Sequence, residues 1–123
     1  MADHEPEDLQ QIKADTLEGM REYLADVVAD GGDPGYTEAE IGECEAILDA
    51  FLAKVSAAKP GHADAVMAAV RDAVLALNTL NEACSHGLIE TDQREEICSL
   101  IVEAAQAAGV GAGEDLTEQW REW

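Results

Sequence analysis

The chain has 123 residues, 27 of them acidic against 7 Lys and Arg, for a net charge of −20. That length makes one domain, 1–123, able to hold an apolar core without disulfide or metal staples. That charge excludes direct binding to nucleic-acid phosphates or to an anionic membrane, while it speeds encounter with a basic protein. Apolar residues reach 47%, but 22 residues are Ala and only Tyr23, Tyr36, Phe51, Trp120 and Trp123 are aromatic, so the core has to be aliphatic. High net charge favours disorder, yet the apolar spacing is too regular for it.

Residues 1–5 are expected to fray. Pro6 suits a first helical turn, where its missing N–H is not needed, and Glu5, Glu7 and Asp8 sit at the positive end of the helix dipole. Leu9, Ile12, Leu17, Met20, Leu24, Val27 and Val28 then mark one face of a helix over 6–29. Asp8, Asp15, Glu18, Glu22 and Asp26 take the other. Gly19 weakens this helix by up to about 1 kcal/mol relative to Ala; it either marks a close helix contact or is simply tolerated. Asp30-Gly31-Gly32-Asp33-Pro34-Gly35 ends it as a turn. In an EF-hand frame the stretch fails, because starting at Asp30 puts Gly32 and Pro34 at ligand positions and Ile41 where a bidentate Glu is required.

Thr37-Glu38-Ala39-Glu40 reads as a capping box opening a second helix over 38–58. Ile41, Cys44, Leu48, Phe51, Leu52 and Val55 turn inward, while Glu38, Glu45 and Asp49 face out. Pro60-Gly61 stops it. The stretch from His62 to Ala108 reads as a helical hairpin, 63–86 and 92–108, around which the first sixty residues are organised. Val66, Val70, Ala73, Val74, Leu77, Leu80 and Cys84 form one stripe. Ile97, Leu100, Ile101, Ala104, Ala105 and Ala108 form the other. Gly87 is the expected left-handed stop, Thr91 the expected cap of the fourth helix, and Gly109 its C′ residue. Asn78 and Asn81 border the third helix's apolar stripe. Residues 110–123 are expected to be a Gly-rich linker plus a C-terminal tail or short helix carrying both tryptophans. Four helices on short connections make an all-α antiparallel four-helix bundle.

The sequence assigns no catalytic residue, no cofactor and no metal ligand. Cys84, Ser85, His86 and Cys98 form the one thiol and imidazole grouping. There is no Cys-x-x-Cys or His-Glu-x-x-His, and both cysteines fall on apolar stripes, where a thiol behaves as a small hydrophobe. Glu82 to His86 is Glu-x-x-x-His rather than the Glu-x-x-His that di-iron bundles use twice. No phosphate-binding glycine motif follows a strand. Cys98-Ser99-Leu100 lies inside a helix, unlike the Asp-Ser-Leu at a helix start to which acyl carriers attach their group. Three cysteines without a signal peptide or an apolar span predict a reducing, cytoplasmic location.

The resulting expectation is a non-catalytic acidic helical protein that works by binding another protein, as an inhibitor or immunity-type protein masking a basic surface. Glu18, Glu22 and Asp26 on the first helix, with Glu45 and Asp49 on the second, are its docking carboxylates. Trp120 and Trp123 are expected to pack back against the bundle; the alternative is a partner-binding tail with Trp120, Arg121 and Trp123 as anchors, since Trp and Arg dominate interface energetics. The competing reading is an oligomeric structural protein, a homodimer, whose acidity reflects a high-salt habitat. A metal-binding or enzymatic bundle stands third.

Overall fold

A computed structural model of the chain describes residues 6–59, 61–111 and 114–123. The expectations for residues 1–5, for Pro60 and for Ala112-Gly113 lie outside these. The described residues form four helices: α1 (Pro6–Ala29), α2 (Glu38–Ala57), α3 (Ala63–Ala83) and α4 (Thr91–Ala107). Their contacts are those of a compact four-helix bundle.

The stripes meet where the spacing placed them. Met20 from α1, Ile41, Leu48 and Phe51 from α2, Val70, Val74 and Leu77 from α3, and Ile97, Leu100 and Ile101 from α4 are all withdrawn from solvent. Ala69, Ala73, Ala104 and Ala105 fill the remaining seams and let backbones approach without large side chains. Val28, read as inward, is 58% exposed; Val27 takes the half-buried position one residue earlier.

Helix ends follow local chemistry. Thr37 caps α2 as a capping box: its hydroxyl accepts from Ala39 N at 3.2 Å, and its own N–H donates to Glu40 Oε1 at 2.7 Å. Two helices stop in Schellman geometry at a glycine with positive φ. At Gly31 (φ 81°), Gly32 N donates to Val27 O; at Gly109 (φ 86°), Val110 N donates to Ala105 O. Gly109 is thus the C′ residue it was expected to be.

Four expectations are corrected. The third helix ends at Ala83, not 86, because the chain already turns left-handed at Ser85 (φ 56°) and His86 (φ 61°). Gly87, expected to supply that conformation, serves clearance instead, since a Cβ there would sit 3.3 Å from Cys84 O. Thr91 does not cap α4; Glu90 does, with its N–H donating to Gln93 Oε1 at 3.2 Å. Finally, α3 and α4 do not form the principal hairpin. α3 packs mainly on α2, α4 packs mainly on α1, and α3 meets α4 only slightly. The segment 114–123 lies along that seam. Asn78 of α3 bonds it at Trp120 and Glu122, and Thr117 approaches Cys98 of α4.

Candidate functional site: an acidic groove between α1 and α4

Where α1 crosses α4, a groove of about 420 Å³ is lined by Asp15, Glu18, Gly19, Glu22, Asp92, Gln93 and Glu96. Asp15, Glu18 and Glu22 recur at steps of three and four on α1, and Asp92 and Glu96 at a step of four on α4, so each set shares one helix face. Gly19 leaves room for the Gln93 side chain: a Cβ at that position would lie 2.9 Å from Gln93 Nε2. Gln93 is itself anchored through its carbonyl oxygen to the Glu90 N–H.

Five of the seven lining residues are carboxylates and none is basic. Glu96 registers the crowding. Burial pushes its carboxyl above the usual range, Asp15 across the seam raises it further, the Thr16 hydroxyl pulls the other way, and Asp92 adds to the rise. Asp92 lies in α4's first turn, where the helix dipole favours a negative charge; Glu96, one turn further in, gains less. A groove lined by carboxylates with no basic residue among them favours an incoming positive charge.

The expected docking carboxylates divide around this groove. Glu18 and Glu22 line it, and they also line a second groove of about 510 Å³ between α1 and α2, with Lys13, Arg21 and Glu45. Both basic residues of that second groove pair with carboxylates outside its lining. Asp49 is held by Lys13 at 2.5 Å, and Arg21 reaches Glu38 at 3.1 Å. Asp26 is exposed one turn beyond Glu22 on α1. Asp15, Asp92 and Glu96 join the groove without being docking residues that the sequence singles out. The four-residue spacing of Asp92 and Glu96 was visible, but their position opposite α1 was not.

Trp120 and Trp123 pack partly buried against the core. Arg121 is engaged within its own segment: Nε donates to Thr117 Oγ1 at 3.2 Å, Nη2 to Asp115 Oδ2 at 3.1 Å and Nη1 to Trp123 O at 2.7 Å. Its guanidinium carbon also lies 5.5 Å from the centre of the Trp123 ring, a cation–π distance.

The thiols are held protonated. Burial, then Cys84 and Glu45, push Cys44 up to about 12. Burial is also the main cause of the rise at Cys84 and at Cys98. A thiol kept neutral is a poor nucleophile and a poor ligand. Among the described residues no three His, Cys, Asp or Glu side chains are grouped to hold a metal ion. No helix formed by them is long and apolar enough to cross a membrane. Comparison of the chain with known protein families, with curated proteins and with solved structures finds no match.

Proposed function

We propose that this protein is a non-catalytic binding module that docks a basic protein surface in the α1–α4 groove, as an inhibitor or immunity-type protein does. The observation that carries this reading is a groove lined by five carboxylates and by no basic residue, with the carboxyl of Glu96 raised by burial and by Asp15. A Lys or Arg entering there relieves repulsion that folding alone leaves in place. Electrostatic complementarity of this kind sets encounter rate and partner choice. Glu18 and Glu22 are the central docking residues, with Asp15, Asp92 and Glu96 beside them and Asp26 extending the surface. Asp49, matched to Lys13, has less to offer. The three free cysteines suit work in a reducing cytoplasm.

The test is affinity capture with the full chain at low and at high salt, beside a variant carrying Glu18→Gln, Glu22→Gln and Glu96→Gln. A basic protein retained by the natural chain, released by salt and lost by the variant is the expected result. Equal capture by both chains sinks the groove as the docking surface.

A second reading rests on carboxylates outside the groove. Exposed acidic residues such as Glu43 on α2, Asp64, Asp72 and Glu82 on α3, and Glu118 beyond the helices lie away from it. Such a coat fits a structural protein of a saline compartment. Stability that climbs steadily to molar potassium chloride, with no basic partner captured, would favour it.

A further inference from the structure

The last turns of α1 show apolar side chains to solvent. Tyr23 is 44% exposed and Val28 58%, between the exposed acids Glu22, Asp26 and Asp30. Val28 walls a hollow of about 440 Å³ between α1 and the turn that leads into α2. Leu24, Ala25, Val28, Pro34 and Tyr36 give it an apolar surface, and Arg21, Asp33 and Glu38 stand among them. The fold holds this hollow in shape. The Tyr36 hydroxyl donates to Met20 O at 3.1 Å, and its ring stacks on Tyr23 with centres 6.3 Å apart. Asp33 Oδ1 accepts from Gly35 N at 2.9 Å.

Its surroundings are negative. Two carboxylates stand against one guanidinium in the lining, and that guanidinium, Arg21, is already bonded to Glu38 at 3.1 Å. No basic residue lies in the last turn of α1. Asp26 and Asp30 sit at that end instead, where the helix dipole is itself negative, so a cation is favoured there. The hollow is also continuous with the docking surface. It shares Arg21 and Ala25 with the α1–α2 groove, which shares Glu18 and Glu22 with the α1–α4 groove.

We propose that this hollow takes an aliphatic or aromatic side chain of the basic partner, so that the partner's docking element carries an apolar residue beside its Lys or Arg. That role rests on the docking reading above and supplies what carboxylates do not. Charges along a groove steer and orient a partner. An apolar side chain withdrawn from water holds it, and a hollow already formed loses little in ordering. From Glu22 to Val28 is about 9 Å along α1 at 1.5 Å per residue, a span that one helix or strand of the partner covers.

The test uses the full chain and two short fluorescein-labelled peptides of equal length and equal lysine count, one with Leu and the other with Ser at every remaining position. Fluorescence anisotropy reads their binding. Val28→Asn removes an apolar wall and Ala25→Gln fills the hollow; both positions are exposed, so neither change disturbs the core. The natural chain should hold the Leu peptide about tenfold more tightly than the Ser peptide. Each variant should lose most of that preference while binding the Ser peptide as before. Glu18→Gln, Glu22→Gln and Glu96→Gln together should weaken both peptides alike and keep the preference. No preference in the natural chain, or a preference that either variant retains, overturns the hollow and leaves the acidic docking surface standing. Binding undiminished by the three Gln substitutions, with the preference lost at Val28, removes the groove and keeps the hollow. Failure of both peptides to bind overturns both.

Discussion

Asn78 holds Trp120 by its main chain rather than by its indole. Its carboxamide bridges the carbonyl of Trp120 and the amide of Glu122, closing on both sides of Arg121. One turn along α3, Asn81 does the same for a different segment: its Oδ1 accepts from Leu88 N at 3.1 Å and Ile89 N at 2.9 Å. Two polar residues on an apolar stripe thus serve non-helical main chain that would otherwise be buried without partners.

Replacing these amides should separate the two roles. Asn81→Leu strands two buried N–H groups and is expected to cost roughly 2–4 kcal/mol of global stability, whereas Asn81→Asp keeps the acceptor and costs less. Asn78→Asp removes the donor and sets a carboxylate against the Trp120 carbonyl. It should lower the denaturant midpoint read by tryptophan emission while leaving the midpoint read by helical ellipticity nearly in place. Urea titrations followed by both signals check this.

Glu96 bears the groove's crowding. Its carboxyl is raised, chiefly by burial and then by Asp15, so the folded chain binds its proton more tightly than the unfolded chain does. It therefore lowers stability at neutral pH, and the penalty fades as pH falls through the raised value. Glu96→Gln should raise stability by up to about 1 kcal/mol at pH 7, or a few degrees of Tm. Thermal melts should show the gain shrinking in salt and disappearing in acid. A loss of stability at pH 7 would mean that the groove is not under strain.

Asp115 has the opposite sign. Burial raises its carboxyl, but the side-chain and main-chain hydrogen bonds from Thr117, with the Arg121 guanidinium, outweigh burial and hold it below the ordinary value of 3.8. Its contribution is present above that ordinary value and is lost as pH falls through the depressed one. Tryptophan emission should therefore report loss of packing in 114–123 on acidification below pH 3.8. Asp115→Asn should loosen the segment at neutral pH by roughly 1–2 kcal/mol, partial exposure limiting the effect, and should flatten the acid transition.

Ser85 and His86 hold consecutive left-handed conformations, at about 1–2 kcal/mol each for a residue with a Cβ. Ser85→Gly and His86→Gly should each stabilise the protein by about 1 kcal/mol, since both side chains are exposed. Gly109→Ala, at φ 86°, should cost a similar amount. Chemical denaturation of the three variants decides it.

Much of the fold was legible from one dimension. Apolar spacing placed four helices to within three residues at every end, because amphipathic periodicity and caps act locally. Thr37 with Glu40, and Gly109 beyond α4, are interactions between near neighbours, so the residues at those positions suffice to find them. The stop after α3 was misassigned because a serine and a histidine took a conformation that glycine usually holds; the surrounding bonds, such as His86 N to Asn81 O at 2.7 Å, impose it.

What the chain could not announce was which stripe lies against which. An apolar stripe carries no partner label, so the pairings of α1 with α4 and α2 with α3, and the placing of 114–123 in the remaining seam, depend on how the whole volume fills. The acidic groove has the same origin. Glu18 and Glu22 are exposed acids on one helix until packing brings Asp92 and Glu96 across from them, because electrostatic repulsion depends on distance through space and not along the sequence.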